Sequence, residues 1–387
     1  MKRLLSMVMC LCCFAGCAAI AQESPFTREM VEKSLVAVGN TQRLHRVMEK
    51  AKSGEEVTIA YLGGSITEGA SAQPQRTHCY AALSAKEFAE TYMPDPKKLH
   101  YVNAGISGTP SLLGVTRLQK DVLSRNPDIV FVEFAVNDSS DNIHRMAYES
   151  LVINLLKAEC QPAVILIFTV GDNGYSQEAH MKQIGRHYEL GMISVRGAIN
   201  TPLLRKQITW ADYGADSVHP NNRGHRLIAD MIAYYYQQAE SKPSEEYVMP
   251  EKTKYGNFFE GLENILPGHP FIVSEGGFPY RVANCYSYLK GWVFNQYGMD
   301  KSPLVMRVDA RRMTIVFKQE NSSFCGDAEV WVDGVKKLTL QGNSEKGWGN
   351  PVTQFLHLGE GVHDVEIRMA EGHEKKRFTI LDMGYVQ

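Results

Sequence analysis

A serine hydroxyl becomes a useful nucleophile where the backbone around it is open, a base can take its proton, and amide hydrogens can meet the developing negative charge. The segment Gly63-Gly64-Ser65-Ile66-Thr67-Glu68-Gly69 offers such a place. It follows an apolar run and leads into a helix, so Ser65 falls at a strand-to-helix turn. Small neighbours let a substrate approach the backbone, and the free N–H groups and dipole of a helix start favour negative charge. A glycine-rich turn after a strand is more commonly a plain turn or a phosphate loop, but neither GxGxxG nor GxxxxGK[ST] fits this one. The base would come from Asp216-Ser217-Val218-His219-Pro220. On a loop, that spacing lets the carboxylate reach one imidazole nitrogen and fix the tautomer while the other nitrogen faces a serine. Taken alone, an Asp-x-x-His is usually a surface pair. This one precedes the last helix of an α/β pattern, on the rim where Ser65 is expected.

Two further turns complete a constellation: Asn103-Ala104-Gly105-Ile106-Ser107-Gly108-Thr109 after a second apolar run, and Phe134-Ala135-Val136-Asn137-Asp138 after a third. In chain order the four blocks resemble those of the SGNH/GDSL hydrolases, a family named for a serine, a glycine, an asparagine and a histidine on successive loops. Ser65, Gly108, Asn137 and His219 match residue by residue, with Asp216 three before the histidine as in the family. The resemblance spans 57–239. It implies a three-layer flavodoxin-like domain with a parallel sheet, and serine esterase chemistry without a metal or other cofactor. Ser65 would attack the carbonyl as His219, oriented by Asp216, takes its proton. The oxyanion would be held by the N–H groups of Ser65 and Gly108 and the amide of Asn137. Two positions depart from the commonest pattern: Gly64 stands where an Asp precedes the nucleophile, and Val136 where a Gly precedes the asparagine. Exported members with an appended β-sandwich are mostly carbohydrate esterases. The resemblance therefore implies an acylated glycan as substrate and an acetyl or other small acyl group as what is removed. A glycan-binding protein with an inactive hydrolase domain, an acyltransferase, and a lysophospholipase or thioesterase stay open as alternatives.

Other chemically capable residues have simpler accounts. Glu68 could contact substrate, yet it sits in a helical first turn where the dipole favours Glu. Glu133 lies on a strand and reads as a satisfied buried group, as does Asp138. His225 opens the last helix and reads as structural, and His78 shows no metal-ligand spacing. Trp331, in a strand, reads as core. Trp348, in Gly347-Trp348-Gly349-Asn350, is either a loop anchor or a platform for a sugar ring.

These residues need elements to position them. Short apolar runs at 57–62, 99–103, 129–134, 164–169 and 192–195 alternate with amphipathic stretches near 80–92, 112–125, 146–160 and 225–239, the mark of an α/β domain. Ligands of such sheets bind at the carboxyl ends of the strands, where the four blocks fall. Around 243–254 the texture turns to Pro, Ser, Glu and Lys, a linker, and helical periodicity ends. Short alternating runs follow at 304–308, 313–317, 328–332, 355–358, 362–368 and 378–383. Turns such as Asp333-Gly334 separate them, as in a β-sandwich of jelly-roll-like type. The expected division is a signal peptide over 1–21, the hydrolase domain over 22–242, the linker over 243–254 and the sandwich over 255–387.

The 387 residues exceed the usual reach of one core, and the net charge of −2 comes from interspersed acids and bases. Neither a phosphate-tracking groove nor an anionic-lipid surface is indicated, so nucleic acid is not an expected partner. Met1-Lys2-Arg3 followed by apolar residues to Ala21 has the form of a secretory signal. The expectation is export, to the periplasm, the medium or the outer membrane, with no transmembrane span in the mature chain. Ala19-Ile20-Ala21 suits cleavage before Gln22, whereas Phe14-Ala15-Gly16-Cys17 resembles a lipoprotein site leaving a lipid anchor on Cys17. Outside the leader remain Cys79, Cys160, Cys285 and Cys325. Cys285 and Cys325 could cross-link one domain, or all four could be buried thiols.

Overall fold

The computed structural model describes residues 24–387, so both processing sites of the leader lie outside the described residues. The first sheet contains β1 (Leu35–Ala37), β2 (Val57–Gly63), β3 (Leu99–Gly105), β4 (Ile129–Glu133), β5 (Ala163–Phe168) and β6 (Gly191–Ser194). Their spatial order is β1-β6-β5-β4-β2-β3. All neighbours run parallel except β1, which pairs antiparallel with β6. β4 and β5 are buried along their whole length, which is why they read as unbroken apolar runs. Separate apolar clusters cover the two faces of the sheet, giving three layers. Apart from β1 the order is that of a flavodoxin-like fold, whose topological switch point falls between β2 and β4.

The remaining strands are β7 (Glu263–Asn264), β8 (Ile272–Ser274), β9 (Tyr280–Cys285), β10 (Tyr288–Val293), β11 (Leu304–Asp309), β12 (Arg312–Glu320), β13 (Ala328–Val332), β14 (Val335–Leu340), β15 (Trp348–His357), β16 (Val362–Met369) and β17 (Thr379–Val386). They form two antiparallel sheets, β15-β12-β17-β10-β9 with β7 added beside β17, and β14-β13-β16-β11-β8. Alternation sends Leu304, Met306 and Val308 of β11 inward to the shared core while Arg307 and Asp309 face out. Asp333 and Gly334 turn β13 into β14 with φ of 50° and 76°, the geometry a two-residue hairpin needs.

Several elements differ from the sequence expectation. β1 and the helices Gln42–Lys52 and Glu178–His187 were not foreseen, and the stretch near 112–125 divides into the helix Ser111–Asp121 and a 3-10 turn. β15 starts at Trp348 rather than 355; it is an edge strand, where Pro351 costs no ladder hydrogen bond. Cys79, Cys160, Cys285 and Cys325 are all unpaired thiols, so Cys285 and Cys325 form no cross-link. Among the described residues no helix is long and apolar enough to cross a membrane.

Between the last helix of the first domain, Asn222–Ser241, and β7, the chain runs irregularly across the α/β face. Glu149, fully buried, receives the backbone N–H groups of Lys254 and Tyr255 at 2.5 Å each, Gly256 at 2.9 Å, and the Tyr188 hydroxyl at 2.8 Å. Tyr247, Met249, Tyr255 and Phe258 pack against the apolar cluster there, and Phe355 of β15 joins them. On the sandwich side Leu113 of the helix Ser111–Asp121 packs among Cys285, Tyr288, Val316 and Leu381.

Candidate active site

Ser65 opens a four-residue helix directly after β2 and is 6 % exposed. The loop carrying Asp216 and His219 is folded back on itself by Ala215 N–H donating to His219 O at 2.8 Å. It is anchored by Asn221, which caps the helix Asn222–Ser241 by accepting from Gly224 N–H at 3.0 Å. His219 Nδ1 lies 2.7 Å from Asp216 Oδ2, and His219 Nε2 lies 2.8 Å from Ser65 Oγ. An ionised carboxylate only accepts, so the proton sits on Nδ1, and Nε2 is left to accept from the serine hydroxyl. Asp216 Oδ1 is held in turn by the N–H groups of Val218 at 2.8 Å and His219 at 2.7 Å. Partial burial pushes this carboxyl up. The hydrogen bonds from His219 and Val218 and the nearby imidazole outweigh it, so Asp216 stays below the usual carboxylate range.

The loops after β3 and β4 close around the serine. Neither the Ser65 nor the Gly108 N–H meets a protein acceptor among the described residues. Asn137 Oδ1 is buried without a hydrogen-bond partner among the described residues, so this amide is not committed to holding the fold. A Cβ on Gly64 would stand 2.3 Å from Asn137 Oδ1, so in this structure any larger residue there requires the asparagine side chain to shift. Gly108 has φ of +68°, and a Cβ on it would lie 2.6 Å from Cη2 of Trp348. The first residue of β15 thus lays its ring against the loop that carries Gly108. That ring is 58 % exposed, and its Nε1–H donates to the Tyr286 hydroxyl at 3.2 Å.

Beneath the Ser65 turn is a buried hydrogen-bonded network. Glu133 accepts from Thr169 Oγ1 at 2.6 Å and from Thr67 Oγ1 at 3.0 Å, and Thr67 Oγ1 also lies 2.8 Å from Tyr80 OH. Burial pushes the Glu133 carboxyl above its usual range, opposed in part by those hydroxyls, the Gly64 backbone and nearby His219. Asp138 accepts from Ser111 N–H at 2.7 Å and Ser111 Oγ at 2.6 Å, which ties the loop after β4 to a helix start. Glu68 accepts from Ser107 Oγ and so braces the loop after β3. His225 is buried between Tyr80 N–H at 3.2 Å and Ala70 O at 3.1 Å, and burial lowers it to about 4, a neutral structural histidine. Among the described residues no group of three or more His, Cys, Asp or Glu is arranged to hold a metal ion.

The structure therefore brings Ser65, His219, Asp216, Gly108, Asn137 and Trp348 to one place, with Glu68 one contact behind. Sequence reasoning missed Thr67, Thr169, Tyr80 and Tyr286. Thr169 follows β5 on the same rim and was open to discovery by its position; Tyr286, in a turn of the other domain, carried no local signal.

Residues 61–227 match the model of the GDSL-like Lipase/Acylhydrolase family. The match lies within the α/β domain and takes in all four loops that meet at Ser65. This match and the esterase structures it resembles make the protein a hydrolase of ester bonds, and its strand-end site is where such a domain keeps its chemistry. The chain is similar along nearly its whole length to a two-domain esterase (CEX) active on acetylated mannans, solved with mannopentaose and without. The TM-scores are 0.79 and 0.78 and the identities 28% and 27%; each alignment covers 92% of this chain, and 98% and 99% of the other. An acetylxylan esterase from Geobacillus stearothermophilus aligns over 48% of this chain and 96% of its own, at 21% identity and a TM-score of 0.40. No curated protein matches the sequence.

Proposed function

We propose that this protein is a serine esterase that removes acetyl or other small acyl groups from a carbohydrate by way of an acyl-enzyme. The observation that carries the reading is the continuous chain from Ser65 Oγ through His219 to Asp216, at 2.8 and 2.7 Å. Ser65 Oγ attacks the ester carbonyl while His219 Nε2 takes its proton. The oxyanion is met by the free N–H groups of Ser65 and Gly108 and the Asn137 amide; collapse expels the sugar hydroxyl, which receives the proton from His219. Water, deprotonated by the same imidazole, then releases the acid and restores Ser65.

The carbohydrate part rests on two supports. The structural neighbours at 28% and 27% identity act on acetylated mannans. In this chain the half-exposed face of Trp348 stands beside Gly108, where a sugar ring bearing the ester can stack. The leader favours an exported enzyme, which suits a polymeric substrate. The test compares the wild-type chain with Ser65→Ala for acetate release from acetylated mannan, acetylated xylan and p-nitrophenyl acetate, with p-nitrophenyl palmitate as a long-chain control. Release from the acetyl esters that vanishes in Ser65→Ala is the expected result. Equal turnover by both proteins, or preference for palmitate, would overturn it.

A further inference from the structure

Arg117 is fully buried, and a guanidinium is a planar fork of five donors that needs acceptors wherever it is placed. An apolar side chain of similar volume would fill that space without the desolvation cost, so packing alone does not account for it. Its donors reach Ala104 O at 2.6 Å, Gly63 O at 3.0 Å and Asp121 Oδ2 at 3.2 Å, while its buried Nε has no partner among the described residues. The two carbonyls belong to the last residues of β2 and β3, which are adjacent and parallel. One begins the run into Gly64 and Ser65, the other the run into Gly105 and Gly108. A single planar fork therefore fixes the spacing between the two backbones whose N–H groups would hold the oxyanion.

The fork is aimed from the other domain. Asp121, one helical turn beyond Arg117, also accepts from Ser287 Oγ at 3.1 Å. Lys120 donates to Ser287 O at 2.9 Å and lies 4.2 Å from the centre of the Tyr288 ring. The preceding residue, Tyr286, is the acceptor for Trp348 Nε1. One turn between β9 and β10 thus holds both the carboxylate behind Arg117 and the ring against Gly108.

We propose that Arg117 is a positioning residue for the reaction, and that the sandwich domain sets it through Asp121 and Ser287. The proposal rests on the oxyanion roles given above for Ser65 and Gly108. It separates from glycan binding, because a small ester with no sugar ring to stack should still feel the loss.

The test uses the full chain with Arg117→Lys, Asp121→Asn, Ser287→Ala and the Arg117→Lys/Asp121→Asn pair, beside wild type and Ser65→Ala. Steady-state kinetics on p-nitrophenyl acetate are read together with hydrogen–deuterium exchange of the peptides spanning 61–70 and 103–110. Asp121→Asn is expected to lower kcat at least about fivefold with KM little changed, since sub-ångström misplacement of such groups is costly. Exchange should quicken in those two peptides and not in 222–241. The pair should lose less than the product of its single effects, because both changes break one unit. Folded variants with unchanged kcat and exchange, or with exchange quickened evenly along the chain, would overturn the proposal. If wild type and Ser65→Ala hydrolyse alike, the esterase reading fails, and the exchange pattern alone decides the positioning.

Discussion

Gly64 and Asn137 are packed so closely that neither is independent of the other. With Asn137 Oδ1 only 2.3 Å from where a Cβ would stand, Gly64→Ala must push the asparagine aside. Its expected effect resembles loss of an oxyanion donor, a fall in kcat of about a hundredfold with KM little changed. Gly64→Asp, though it restores the commoner residue, should do no better; full activity in either variant would show that the Asn137 amide keeps its place when a Cβ is added at residue 64. A second residue-scale expectation concerns Asp382, which burial pushes up to about 7 against the opposing effects of Lys120, Asn264 and its own neighbour's N–H. In the unfolded chain an aspartate loses its proton near about pH 4. The folded state therefore binds the extra proton between those values, and stability from this group is present at low pH and lost as pH rises toward 7. Melting curves of Asp382→Asn should compare more favourably with wild type at pH 8 than at pH 5, and a pH-independent difference would contradict the sign. At this scale most of the site was legible. Ser65, Gly108, Asn137, Asp216 and His219 each follow a recognisable strand or precede a recognisable helix. Thr67 and Tyr80 were not legible, because a buried hydroxyl network leaves no spacing in the sequence.

Elements were legible in proportion to their periodicity. β2, β4 and β5, buried on both faces, announced themselves as apolar runs, whereas the three residues of β1 are too short to show a period. β15 was truncated in the reading because Gly349, Asn350 and Pro351 look like a loop, and only its edge position makes them compatible with a strand. The irregular stretch after the helix Asn222–Ser241 is better held than its composition suggests. Its anchor is Glu149, whose carboxylate gathers three consecutive backbone N–H groups. Glu149→Ala leaves those donors buried without partners and should cost roughly 3 kcal/mol in urea unfolding, with most of it in that stretch. A loss below about 0.5 kcal/mol would mean water replaces the carboxylate readily.

For the whole molecule, the decisive fact is that apolar clusters run through the domain boundary. Phe258, Phe259 and Phe355 pack with the α/β core, and Leu113 packs with sandwich residues, so neither domain finishes its own surface. Calorimetry and circular dichroism should therefore follow one shared unfolding transition. Two well-separated transitions would mean the domains are coupled only in the folded contacts and not in stability. The fold class of each half was readable from pattern alone, but their apposition was not, since residues as distant in sequence as Gly108 and Trp348 share no periodic signal. Their contact also limits how such enzymes can be recombined. In a chimera that borrows its sandwich from a relative, a shift of the graft by less than a methyl group's width would drive an indole into the Gly108 loop or lift it away. Exchange of domains between lineages would then transplant one wall of the Gly108 loop along with the module, and productive grafts should be confined to donors whose docking turn, Tyr286 to Tyr288, travels with the helix it grips.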